Sequence, residues 1–255
     1  SRIEVTNADA SLVAMAEAAM RGTYFGIIPR NSIFFFPAPL IHKSILSAHT
    51  GIAAISLSRN GFTGLSIKAN HRVPIAQWCG SFSTSTSPSI SPRYEIIPTV
   101  SGHCYLFDAS GFVYATATEA KGISAGAGQS GSNTPLTPFV LYSSLEVEDP
   151  SFIGATLKDA NRLPAVFDFA RQLGALRSPV STVVIRADEV DFFLVGSPSS
   201  AAIGPRITFL LGDEQNAFTA LVSAKDKLNL SDTTLQYVDL RFPGKIYLKR
   251  QEPPK

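Results

Sequence analysis

The sequence predicts an α+β chain in two units: a small N-terminal β-α-α-β-β unit, then a larger β domain on a mixed sheet with two helices. Three observations predict it. Short runs of alternating apolar residues, bounded by turn residues, recur along the chain beside four segments of helical period. A polar Ser/Thr/Pro stretch at residues 81–92 separates an early group from a late one. At 255 residues the chain is long enough for two modest cores.

The first unit spans residues 1–79. Ile3 and Val5 alternate in a first strand, and Asn7 and Asp9 supply cap chemistry for a helix over 11–21. Leu12, Met15, Ala16 and Ala19 share its apolar stripe, and Gly22 is its stop. Residues 23–36 are aromatic and irregular. Pro39 opens a second helix over 39–48, with Ile41 and Ile45 on one face. Strands at 52–59 and 62–70 follow, joined by Asn60-Gly61, a pair that suits the two positive φ angles of a type I′ turn.

Residues 80–92 read as a connector. The second unit spans 93–250. Asp108-Ala-Ser-Gly111 is a turn between strands at 104–108 and 111–115, and a Gly/Ser-rich surface loop at 122–138 precedes a strand at 139–146. A helix over 163–176 carries Val166, Phe169, Ala170 and Leu173 on one side. Strands at 181–187, 191–195 and 206–211 lead to a helix over 213–228, with Asp213 able to cap it. The last strands, 235–242 and 245–249, meet at Pro243-Gly244. Val238, Leu240 and Phe242 alternate there with Tyr237, Asp239 and Arg241, the pattern of a half-buried strand.

Composition narrows the function. Twenty-two basic against twenty acidic side chains, with no run of like charge, argue against a dedicated nucleic-acid surface. No stretch is long enough and apolar enough to cross a bilayer. The chain starts at Ser1 with a strand close behind, which leads us to expect a removed N-terminal segment.

Candidate chemistry is sparse. Gly126-x-Gly128-x-x-Gly131 matches a dinucleotide fingerprint in letters, but Pro135 and Pro138 follow where a helix should open, so it reads as a loop. Cys79 and Cys104 read as a disulfide tying the two units, for roughly 3 kcal/mol of loop closure. Two buried thiols are the plainer alternative, and a zinc site with His71 and His103 fits no standard spacing. Asp188, Glu189 and Asp191 read as a solvated turn. Arg72 reads as a surface group or an interface ion pair. Nothing assembles a nucleophile, a base and an orienting group, and neither cofactor nor metal is expected.

Three motifs, in order, extend the reading. His71-Arg-Val-Pro-Ile-Ala-Gln-Trp78 is similar to an R-x-P-x-A-x-W signature. Cys104-Tyr-Leu-Phe-Asp-Ala-Ser-Gly-Phe-Val-Tyr114 is similar to a Y-x-x-D-x-x-G-x-V-F strand pair. Leu235-Gln-Tyr-Val-Asp-Leu-Arg-Phe242 is similar to a Y-x-D-L-R ending. Together they resemble the FtsQ/DivIB family of bacterial cell-division proteins, whose first unit is a POTRA domain. The chain departs from that family in carrying His71 where an acid is usual, in its cysteines, and in the loop at 122–133.

The resemblance implies a non-enzymatic scaffold of the division complex. It implies a single membrane helix upstream of Ser1, with this region extracytoplasmic at the division site. It implies partners similar to FtsB and FtsL, gripped by β-augmentation at the C-terminal strand, with Arg241, Phe242, Gly244, Ile246, Tyr247 and Leu248 as partner-binding residues. The POTRA unit could contact other division proteins. The alternative is an extracytoplasmic enzyme or glycan-binding module with a POTRA-like front end.

Overall fold

A computed structural model describes residues 2–6, 10–32, 35–61, 64–85, 93–98, 103–117, 139–146, 151–196, 204–225 and 227–251. The chain is α+β and divides into two compact units between Val73 and Pro74.

The first unit holds β1 (Arg2–Thr6), α1 (Ala10–Ala19), a two-residue pair β2 (Thr23–Tyr24) and β3 (Ile28–Pro29), α2 (Ala38–Ala48), β4 (Ile52–Asn60) and β5 (Gly64–His71). Its sheet runs β1-β5-β4, with β1 parallel and β4 antiparallel to β5. The helical stripes pack as their spacing predicts: Leu12 and Ala16 of α1 and Ile41 and Ile45 of α2 are buried with Ile52, Ile55, Leu65, Ile67 and Ala69 of the sheet.

The β4–β5 turn differs from expectation. Asn60 pairs with Gly64 inside the ladder, so Asn60-Gly61 is not a two-residue turn; Gly61 has φ 66°, and residues 62 and 63 lie outside the described residues. Arg72 is tied within this unit: its amide donates to the Gly51 carbonyl (2.8 Å) and its Nε to the Thr50 carbonyl (3.0 Å), fixing the α2–β4 turn.

The second unit is one nine-stranded sheet, in the order β10-β9-β6-β11-β12-β13-β14-β15-β16. Its strands are β6 (Ala76–Trp78), β9 (Tyr105–Phe107), β10 (Val113–Thr116), β11 (Val140–Tyr142), β12 (Val180–Arg186), β13 (Glu189–Leu194), β14 (Arg206–Leu210), β15 (Leu235–Asp239) and β16 (Tyr247–Arg250). Helices α3 (Leu163–Ala175) and α4 (Glu214–Ser223) supply the rest of the core. Phe169 of α3 packs on Phe192 and Phe209 of the sheet, with ring centroids 4.9 and 4.5 Å away. Aromatic burial of this size dominates core energetics.

The seam lies earlier than the sequence reading placed it because β6 is a central strand of the large sheet. It pairs antiparallel with β9 and parallel with β11, and its Trp78 indole donates to the Ser143 carbonyl at 2.8 Å. Cys79 and Cys104 are disulfide-bonded, one residue beyond the paired Trp78 and Tyr105. The bridge therefore staples neighbouring strands inside the second unit and does not tie the two units together; it also takes up both thiols a zinc site would need.

Residues 80–92 are not wholly connector. β7 (Gly80–Ser85) pairs antiparallel with β8 (Arg93–Pro98), so the polar Ser/Thr run forms a strand once a partner supplies the ladder. Residues 86–92, the loop at 122–138 and its glycine motif lie outside the described residues. The turn at 108–111 forms as the sequence suggests: the Asp108 carboxylate accepts from the Ser110 amide (2.9 Å) and hydroxyl (2.6 Å), and Gly111 takes φ 76°.

Candidate partner-binding edge

The C-terminal third of the sheet carries two kinds of row across its strands. Val183, Phe192, Ile207 and Val238 are register partners on β12 to β15, all buried in the helix-packed core. One residue along, the row is Asp191, Thr208 and Asp239 on β13, β14 and β15, ending at Tyr247 on β16. Successive side chains point to opposite faces, so this polar row lies on the face away from the helix-packed one.

The polar row is deeply buried: Asp191 is 1% exposed, Thr208 1% and Asp239 5%. Burying charges requires partners, and each is supplied. Asp191 accepts from the Arg186 guanidinium (2.6 and 2.9 Å) and from the Thr208 hydroxyl. Glu189 bridges two arginines, Arg186 at 3.1 Å and Arg241 at 2.5 Å. Asp239 accepts from the Arg241 side chain (2.7 and 3.0 Å) and from its amide (3.0 Å). Asp188, Glu189 and Asp191 are thus not a solvated turn. Only Asp188 sits in the exposed turn; the other two belong to β13, held by arginines near and far in sequence.

The electrostatics fix the charges in place. Burial pushes the Asp239 carboxyl up, but hydrogen bonds from the Arg241 side chain and amide and from Tyr237 outweigh it and hold the group below the ordinary carboxylate range. Bonds to Asp239 and Glu189 push the Arg241 guanidinium above its ordinary value. Burial, with the bond to Asp239, raises the Tyr237 hydroxyl. A general acid or base works best with a pKa near the operating pH; these shifts run the other way. The network is built to stay ionised and to hold strands together.

Its outer end is the sheet edge. Phe242, Pro243, Gly244 and Lys245 form a turn closed by the Lys245 amide to the Phe242 carbonyl (3.1 Å), with Gly244 at φ 72°. Pro then Gly at the central positions, the second with positive φ, is the signature of a type II turn. Phe242 is therefore exposed and does not continue the buried side of β15 as its alternation suggested; its ring meets Tyr247 edge-on, with centroids 5.2 Å apart. Tyr247 and Leu248 are each nearly half exposed, whereas Ile246 packs partly on the core. β16 pairs with β15 alone among the described residues, so its other side is open.

Of the six residues predicted from sequence, Phe242, Tyr247 and Leu248 are displayed on this edge, Gly244 shapes its turn, Ile246 anchors it, and Arg241 is committed to the ion network. The sequence reading missed Glu189, Asp191, Thr208 and Asp239 as supports of the edge. The alternation of Tyr237, Asp239 and Arg241 was the one local signal for them. Compared with known proteins, the chain matches no family model and no curated protein.

Proposed function

We propose that this chain is a non-enzymatic scaffold that binds a partner segment as an added strand along β16. One observation carries the reading: the sheet's β10 end is covered by the chain itself, whereas at its β16 end no described residue pairs with the outer side of the strand, which displays Phe242, Tyr247 and Leu248. In β-augmentation the free backbone supplies affinity and alternate side chains supply specificity. Lys245, Lys249 and Arg250 flank the edge, the device by which natural sheets discourage promiscuous pairing.

The motif resemblance to FtsQ/DivIB gives this scaffold a setting. The order β1-α1-α2-β4-β5 supports a POTRA-type first unit, and the exposed last strand supports the partner site that the resemblance implies. On this reading the partners are FtsB- and FtsL-like single-pass division proteins. The chain then works on the extracytoplasmic side of the cell membrane at the division site. The Cys79–Cys104 bridge supports that compartment, because disulfides persist in oxidising surroundings.

The test is a calorimetric titration of the chain with the FtsB/FtsL-like pair from the same organism. Leu248→Glu changes an exposed side chain, and Tyr247→Ser removes one without setting a second carboxylate opposite Asp239. Each is expected to weaken binding at least tenfold, as central contacts of an interface do. Unchanged binding in both variants overturns the edge-strand reading.

A further inference from the structure

The most exposed apolar feature among the described residues is the tip of the β2–β3 pair in the first unit. Tyr24 pairs with Ile28, and the Ile27 amide donates to the Tyr24 carbonyl at 3.1 Å. The two residues inside that turn, Phe25 and Gly26, both have positive φ, 52° and 74°. This is the φ signature of a type I′ turn, a geometry that Asn and Gly accept and a bulky side chain resists. Phe25 is nonetheless 96% exposed, and Ile27 is 84% exposed. The fold gains no packing from either, so a strained backbone holds two apolar side chains out in water.

Cations stand at the base of the tip. Arg21 is exposed. The Arg30 amide closes the hairpin onto the Gly22 carbonyl (3.0 Å), and its guanidinium lies over the Tyr24 ring, 5.1 Å from the centroid. The unit around them is basic: residues 1–73 hold seven Lys/Arg and three Asp/Glu, although the whole chain is only +2. An apolar tip, an aromatic collar and a cationic base follow the order of a bilayer interface, from acyl chains through the headgroup level to phosphate. A narrow turn with two projecting side chains is too small for a stable protein interface, which buries at least about 1,200 Å² in total. Insertion between lipids needs no such area.

We propose that the β2–β3 hairpin is a membrane-contact finger that inserts Phe25 and Ile27 into an anionic phospholipid surface, with Arg21 and Arg30 at phosphate level. This inference is independent of the edge-strand reading.

The test is co-sedimentation of the full chain with phosphatidylcholine vesicles, with and without about one third phosphatidylglycerol, enough to give a negative surface potential. Binding is expected on the anionic vesicles and at least fivefold less on the neutral ones. The double variant Phe25→Asn/Ile27→Ser keeps the turn geometry and is expected to lose at least fivefold on anionic vesicles with no loss of thermal stability. Phe25→Trp adds a reporter to a chain whose single tryptophan, Trp78, is buried; its emission is expected to shift to the blue on anionic vesicles. Equal binding by the double variant, or no emission shift, overturns the proposal. So does a chain that ignores vesicles but sediments as a dimer that the double variant dissolves, which would assign the tip to a second copy.

Discussion

The two ends of the nine-stranded sheet are finished in opposite ways. At the β10 end residues 154–157 fold over the edge: the Val113 amide donates to the Ala155 carbonyl (2.9 Å), the Gly154 amide to the Val113 carbonyl (2.8 Å), and the Leu157 amide to the Gly111 carbonyl (2.9 Å). At the β16 end no described residue does this, and the strand carries flanking cations and exposed Phe242, Tyr247 and Leu248. A bare strand edge is a hazard that proteins normally cover, shorten or charge. Among the described residues one edge is covered and the other only charged, the difference on which the proposed edge-strand site rests. The ion network lies beneath that second edge, so the open end is backed by the most strongly paired polar groups described here.

The sharpest way to break the contrast is to remove that backing. Arg241→Ala leaves Asp239 buried without its main partner and is expected to cost about 3 kcal/mol, the scale for orphaning a buried charge. Trp78 lies in the second unit and is the only tryptophan, so its fluorescence in urea follows that unit alone. Partner binding should fall with it, since β15 and the turn into β16 lose their tether. A smaller effect follows from pH. The Asp239 carboxyl sits below its unfolded value of 3.8 in the folded chain. Its contribution is therefore present above about pH 4 and is lost as pH falls toward the lower folded value. The wild-type urea midpoint should drop over that acid range, and Asp239→Asn, weaker at neutral pH, should show a shallower acid decline.

How much of this was legible in the sequence depended on how local each feature is. Helix α3 was legible because Val166, Phe169, Ala170 and Leu173 mark one face by themselves. The turn at Asp108–Gly111 was legible because one carboxylate caps it. The strand Gly80–Ser85 was not, because a run of Ser and Thr becomes a ladder only opposite residues 93–98. Asn60-Gly61 looked like the stronger hairpin signal, yet among the described residues two consecutive positive φ angles fall at Phe25-Gly26, where local preference is overridden. The acids of β13 were misread for a related reason. Their partner Arg241 lies 52 residues from Glu189, and only the alignment of β13, β14 and β15 brings them together. The display of Phe242 and Tyr247 was legible only as a family expectation, since a chain end cannot show which strands remain uncovered.

A matched pair of glycines sharpens the contrast between the two ends. Gly111 stands at the covered end with φ 76°, and a Cβ there would come within 2.8 Å of the Ala160 Cβ. Gly111→Ala meets both left-handed strain and a clash, and is expected to cost about 2 kcal/mol or more. Gly244 stands at the open end with φ 72° and nothing within 4 Å of an added Cβ. Gly244→Ala therefore meets the strain alone and is expected to cost about 1 kcal/mol. The two substitutions should separate in binding in the reverse order. Gly111→Ala damages the end that the chain closes for itself, and should leave partner affinity unchanged in the fraction that is folded. Gly244→Ala disturbs the turn that sets Phe242 against Tyr247, and should weaken binding severalfold despite its smaller effect on the Trp78 unfolding midpoint. If the larger stability loss also brought the larger binding loss, the edges would be equivalent supports of one fold, and the open strand would have no separate role.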